Sequence, residues 1–286
     1  MPNYVSNVVK ILCPDGNAKD VKEFLASDER VFDFEKIIPV PPTMHMVSGS
    51  LTNAAIAAYL SNNCTLSLDE SLRSAETIGR TAVYSVENFY ERTKADIEKN
   101  GVDKLYNFGS SANEINLTYY AAGEIYCENL LNYGAVDWYD FHCRNWGTKW
   151  NACEPDLVSE SETELSYFFD TAWSMPYPIF CKITESFQNI TIEVEYADED
   201  FGSNCGRITY QGGGETDSYI PDNYKEAQEL AAEILGYDLT SDLVYSEKLG
   251  HYVWADYLEE AEAEYDAIQA EKAKENSENS AEETKK

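Results

Sequence analysis

The sequence predicts an α+β sandwich, an antiparallel or mixed sheet with helices on one face, carrying an all-helical insertion and an acidic C-terminal helix. Three observations predict it. Residues 164–173 and 190–196 alternate apolar and polar side chains with the period of a strand. Residues 52–133 switch to helical apolar spacing, and the chain after Trp254 becomes an Ala/Glu/Lys-rich run.

Residues 3–12 read as a first strand, ended by the turn Pro14-Asp15-Gly16-Asn17. A short amphipathic helix begins at Asp20 and ends near Ser27. Residues 32–42 read as extended, because Pro39, Pro41 and Pro42 hold the backbone out of helix. Helical pattern follows over residues 53–60. Ser67-Leu68-Asp69-Glu70 then caps a longer helix to about Lys99, and another spans residues 114–131, stopped by Gly134. Asp137 opens one more short helix leading to Trp146.

From Glu164 the period is two. Leu165, Tyr167, Phe169, Thr171 and Trp173 share one strand face, and Ser166, Phe168 and Asp170 the other. Met175-Pro176-Tyr177-Pro178 breaks that strand and starts a helix through Phe187. Ile192, Val194 and Tyr196 face inward on the next strand, with Glu193 and Glu195 outward. Residues 205–211 return as its hairpin partner, ended by Gly212-Gly213-Gly214. Residues 224–235 are helical, and residues 238–252 add a short extended piece. The predicted organisation is a sandwich from residues 1–51 and 135–253, an insertion over 52–134, and an acidic tail over 254–286.

Net charge is −31, and it is uneven: residues 154–254 alone carry −17. A phosphate backbone is repelled by such a surface, so direct nucleic-acid binding is not expected. A protein with a basic surface is attracted to it over a distance. The plainer reading of the charge is solubility. Seven cysteines without a Cys-x-x-Cys pair fit reduced thiols in a cytoplasm. The N-terminus lacks the basic and apolar regions of a signal peptide, and no apolar run approaches a membrane span.

Several segments resemble the Api92-like proteins, a phage, prophage and plasmid family with a ferredoxin-like domain related to plasmid YubB. They are Met1-Pro2-Asn3-Tyr4 with Ser6-Asn7, Phe32-Asp33-Phe34-Glu35-Lys36-Ile37-Ile38-Pro39, Trp138-Tyr139, Asn145-Trp146-Gly147-Thr148-Lys149-Trp150, Thr171-Ala172-Trp173-Ser174, Tyr196-Ala197-Asp198-Glu199-Asp200, and residues 202–206. The resemblance implies a ferredoxin-like sandwich and a mobile-element accessory protein in a bacterial host cytoplasm. It implies no catalytic residues.

Two groups are candidate sites. Glu193, Glu195, Asp198, Glu199 and Asp200 form an acidic stripe for a basic protein partner, with i and i+2 carboxylates about 6.5 Å apart along a strand. Their plainer role is a solvated sheet face whose charges block edge pairing. Trp146, Thr148, Lys149 and Trp150, with Trp173, offer indoles and an ammonium for a base or nucleotide phosphate. Their plainer role is packing, with Lys149 extended along apolar surface.

His142, Cys143 and Cys153 lack metal-ligand spacing, and adjacent helical residues point apart. Gly212-Gly213-Gly214 lacks the Gly-Lys-Ser/Thr of a phosphate loop. No catalytic residue, metal or cofactor is assigned. The expected function is a non-enzymatic inhibitor, or nucleic-acid-mimicking decoy, of a host defence or nucleic-acid-processing protein. The alternatives are a binder that sequesters a nucleotide signal through the tryptophans, or an enzyme of unknown reaction.

Overall fold

The computed structural model of the protein describes residues 3–63, 95–101, 103–110, 114–241 and 243–283. In chain order the strands are β1 (Tyr4–Leu12), β2 (Tyr106–Asn107), β3 (Asn116–Leu117), β4 (Cys153–Glu160), β5 (Glu164–Ala172), β6 (Thr191–Asp198), β7 (Gly206–Gln211), β8 (Gly214–Tyr219), β9 (Leu243–Ser246) and β10 (His251–Trp254). The helices are α1 (Ala18–Leu25), α2 (Phe34–Ile37), α3 (Ser50–Asn63), α4 (Tyr119–Tyr133), α5 (Trp138–Asn145), α6 (Tyr177–Ser186), α7 (Tyr224–Leu235) and α8 (Leu258–Glu283). The chain forms two compact units. One is Met1–Glu23, Ala152–Met175 and Ile183–Lys286; the other is Phe24–Asn151 and Pro176–Lys182.

The first unit is built on a six-stranded sheet of order β4-β5-β1-β6-β7-β8, antiparallel throughout. Central β1 pairs with β5 on one side and β6 on the other, placing Val9 between Tyr167 and Val194. Strand alternation then sorts the side chains. Val5, Val9, Ile11, Leu165, Tyr167, Phe169, Ile192 and Val194 are buried on one face. Ser6, Val8, Lys10, Ser166, Glu193 and Glu195 stand on the other, half-buried to exposed. The order β1-α1-β4-β5-α6-β6, with β5 between β4 and β1, is the ferredoxin-like split βαβ arrangement.

Two edge strands of this sheet, β4 and β8, lie outside the sequence expectations. The run Gly212-Gly213-Gly214, expected to end a hairpin, is instead a turn that opens β8. Trp173 also departs from its expected place. The strand ends at Ala172, and Trp173 takes a left-handed backbone (φ 71°) with its side chain 41% exposed. Its amide donates to the Asn3 carbonyl, and its carbonyl accepts from Asn204 Nδ2.

Beyond β6, helix α7 places Ala227, Leu230 and Ala231 against Ala197 and Cys205 in a small satellite core. The β9–β10 hairpin follows. The acidic C-terminal helix α8 docks its N-terminal turns on that hairpin. Ser246 Oγ donates to Glu262 Oε1 at 2.6 Å, and Lys248 pairs with Asp266.

In the second unit α3 packs against α4 through small side chains, around Phe108, Tyr119 and Tyr126. The closest approach is at Gly123, where an added Cβ would lie 2.1 Å from the Ala55 carbonyl oxygen. The predicted helix from Ser67 falls on residues 64–94, outside the described residues, save a helical stretch over 95–100. Helix α4 starts later than expected, at Tyr119, because Thr118 caps it by accepting from the Ala121 amide.

The unit boundaries differ from the expected insertion over 52–134. Hydrogen bonds explain the difference, because they tie residues 33–38 to residues 146–151. Phe34 N–H donates to Asn151 Oδ1 at 2.9 Å, Asn151 Nδ2 to Asp33 Oδ1 at 2.7 Å, and Trp146 Nε1 to the Ile38 carbonyl at 2.9 Å. The stretch expected to be extended thus contains α2, capped by Asp33 accepting from the Glu35 amide.

Candidate partner-binding cleft

Just after β6 the chain turns over residues 198–204, and Asp198 holds the turn. The residue is 5% exposed, and its carboxylate accepts from Asn3 Nδ2 (3.1 Å), Asn204 Nδ2 (3.0 Å) and the Asp200 amide (2.9 Å). Three donors replace the water lost on burial. Gly202 completes the turn in the left-handed region (φ 84°). A Cβ there would lie 2.6 Å from Gln228 Cγ and 2.7 Å from Tyr224 Cε2. The turn is therefore locked by sequence, and it presents Glu199 and Asp200 outward. Both are exposed, and neither carboxylate has a hydrogen-bond or ion-pair partner among the described residues.

Opposite the turn stands the β9–β10 hairpin, fixed by a buried glutamine. Gln228 on α7 is 3% exposed; its Nε2 donates to the Tyr252 carbonyl at 2.9 Å, and its Oε1 accepts from the Tyr252 amide at 2.8 Å. Between turn, α7 and hairpin lies a cleft of about 430 Å³, lined by Glu199, Asp200, Tyr224, His251, Trp254 and Tyr257 among others. A smaller adjoining cavity of about 170 Å³ shares Glu199 and Trp254 and adds Tyr237 and Asp238. Trp254 is 56% exposed and Tyr257 60%. Exposed aromatic rings beside unpaired carboxylates are an unusual surface for water alone, and a fitting one for a cation.

The predicted acidic residues therefore separate. Glu199 and Asp200 reach the cleft, and Asp198 is their buried anchor. Glu193 and Glu195 stand on the open sheet face, in a groove of about 470 Å³ with Lys10, Arg207 and Tyr219. There Glu195 is answered within the protein, whereas Glu193 is exposed and, like Glu199 and Asp200, has no hydrogen-bond or ion-pair partner among the described residues. Arg207 bridges Glu195 and, at 2.8 Å, Glu233 of α7, and Lys10 pairs with Glu164 at 3.2 Å. Strand β6 thus carries no continuous row of free carboxylates.

The predicted tryptophan site lies in the second unit, apart from Trp173. Trp146 is 2% exposed. His142 stacks on it with centroids 3.7 Å apart, and Phe34 meets it edge-on at 5.8 Å. Thr148 is also 2% exposed, and Lys149 Nζ lies over the Trp150 ring at 5.0 Å. The Trp146 indole is a core group with no face left for a base. Burial pushes the His142 imidazole down to about 4 and the Cys143 thiol upward. That is the reverse of the shifts in an activated Cys–His pair. Among the described residues no group of three or more His, Cys, Asp or Glu is placed to hold a metal ion, and no helix is long and apolar enough to cross a membrane.

A family model for the ferredoxin-like domain in Api92-like protein matches residues 145–238. Those residues are similar to the ferredoxin-like domain of Api92-like proteins. Among solved structures, protein api92 from Yersinia pseudotuberculosis is similar at 11% identity, covering 78% of this chain and 99% of that one, with a TM-score of 0.38. No curated protein matches this chain. The matched residues supply the turn, α7 and the floor of the cleft. The aromatic wall, His251 to Tyr257, follows the matched residues. Sequence reasoning missed Tyr224, His251, Trp254 and Tyr257; the signal was there in the seven Tyr and Trp residues between 219 and 257, but nothing local says that they face Glu199.

Proposed function

We propose that this protein is a non-enzymatic accessory protein of a phage, prophage or plasmid that binds a host protein with a basic surface. In that role it is an acidic inhibitor acting in a bacterial cytoplasm. The observation that carries the reading is the pair Glu199 and Asp200, exposed without partners on a turn anchored by Asp198, within a segment that carries −17. Long-range attraction from such a surface raises the encounter rate with a basic protein, and close carboxylates then fix the register.

A nucleic-acid-mimicking decoy is the stronger form of the same reading. It requires the partner's nucleic-acid surface to be the surface occupied. The test is a complex isolated from host lysate, with its partner then purified. A one-to-one complex whose affinity falls steeply between 50 and 500 mM salt, and which duplex DNA displaces, supports inhibition by occupancy. A complex indifferent to salt and to DNA contradicts it.

A further inference from the structure

We propose that the cleft between the 198–204 turn, α7 and the β9–β10 hairpin is a receptor for an arginine side chain of the partner. The inference rests on the reading above and names its anchor point. Four observations converge. The cleft volume, about 430 Å³, lies in the range of ligand pockets, with room for one long side chain and its flanking backbone. Its aromatic walls, Trp254, Tyr257 and Tyr224, are 56%, 60% and 47% exposed. Rings left open to solvent and set in a concave surface are the arrangement that holds a cation over a π face. Glu199 and Asp200 in the lining, with no carboxylate partners among the described residues, can receive the guanidinium fork. Lastly, the hairpin already performs this chemistry internally, since Lys225 Nζ sits 5.1 Å over the Tyr245 ring.

Lys225 follows the lining residue Tyr224 on α7, does not itself line the cleft, and is engaged elsewhere. Lys225 lies 3.7 Å from Glu229 as well as over Tyr245, and Tyr252 Oη donates to the same Glu229. His251 meets Tyr224 edge-on at 5.0 Å, and its Nδ1 lies 2.9 Å from the Tyr252 carbonyl oxygen. Among the described residues no lysine or arginine lines the cavity, so its carboxylates face an incoming cation without a competitor there. Arginine fits better than lysine, because its planar, weakly hydrated guanidinium can stack on the indole and pair with a carboxylate at once.

The experiment is a titration of the whole protein with hexa-arginine, hexa-lysine and hexa-serine peptides at 50 mM salt. Binding is followed by calorimetry and by tryptophan fluorescence. Hexa-arginine is expected to bind several-fold tighter than hexa-lysine, and hexa-serine not at all. Trp254→Ala and the double variant Glu199→Gln/Asp200→Asn should each weaken hexa-arginine at least tenfold. Trp254→Phe, which keeps an aromatic face and controls for folding, should weaken it less.

Two results overturn the cleft, and they differ. If the cleft variants bind hexa-arginine like the native protein while Glu193→Gln/Glu195→Gln does not, the basic-partner reading stands and its site is the open sheet face. If no basic peptide binds the native protein at low salt, both the receptor and the reading beneath it fail.

Discussion

The carboxamide of Gln228 hydrogen-bonds both main-chain groups of Tyr252, at 2.9 Å and 2.8 Å. One side chain thus acts as a short strand, closing the backbone of β10 against α7. Gln228 is 3% exposed and Tyr252 half-buried, so removing the amide strips a partly sheltered N–H and C=O of this partner. Gln228→Ala is expected to cost about 1–3 kcal/mol of stability. Amide exchange at Tyr252 and Val253 should accelerate by a larger factor than in β1 or β6. Uniform acceleration across the unit would show that Gln228 supports the whole fold rather than the cleft wall.

In the second unit the close approach of α3 and α4 rests on Gly123. Alanine is ordinarily the better helix former, by about 1 kcal/mol. Here its Cβ would meet the Ala55 carbonyl oxygen and Tyr59 Cβ. Backbone cannot move aside as a rotamer can, so the helices must separate. Gly123→Ala should lower stability by about 1–3 kcal/mol net, read from the urea midpoint at constant m-value. An unchanged or raised midpoint would contradict that packing.

Acid behaviour follows from two groups with opposite signs. Asp137, 1% exposed, caps α5 by accepting from the Asp140 amide, and burial raises its carboxyl from 3.8 to about 6. The folded protein holds that proton more tightly than the unfolded chain, so its contribution is greatest below pH 3.8 and is lost as pH rises through about 6. His142 is shifted the other way, from 6.5 down to about 4, again by burial. Its contribution is fully present above pH 6.5 and is lost as pH falls toward 4. The two oppose each other between pH 4 and 6. Asp137→Asn keeps the cap's acceptor and removes one of them. Stability of the variant relative to the native protein should climb with pH across this window by up to about 3 kcal/mol. A difference that does not change with pH would show that Asp137 is ionised at little cost.

The elements legible in the sequence are those with one buried face. Strands β1, β5 and β6 announce themselves because Val5, Val9, Leu165, Tyr167, Ile192 and Val194 must alternate with polar neighbours to fill a core. Helix α7 is legible for the same reason, and it carries a cap at each end, Asn223 and Gly236. The edge strands were silent. β4 reads Cys-Glu-Pro-Asp-Leu-Val-Ser-Glu, with Pro155, two register shifts and a left-handed Glu154, and β8 has no buried residue at all. An edge strand with little to bury leaves no hydrophobic period to read.

The candidate cleft was half legible. Glu199 and Asp200 stand out by charge. Their separation from Glu193 and Glu195, by the burial of Asp198 and the pairing of Arg207, depends on tertiary contacts. Trp254 of the hairpin lines the same cavity as Tyr224 of α7, where Gln228 holds the hairpin by Tyr252, and no local pattern encodes that contact. The Trp146 motif is distinctive for the opposite reason: its indole is enclosed by Phe34 and His142, and its conspicuous sequence reflects a packing role.

The most direct test of the central claim is the affinity of the purified host partner for the native protein and for Glu199→Lys/Asp200→Lys. The charge-reversed protein is expected to bind at least tenfold more weakly, with a weaker salt dependence and an unchanged urea midpoint. Equal affinity with equal salt dependence would contradict it, and would move the acidic surface that matters away from this cleft.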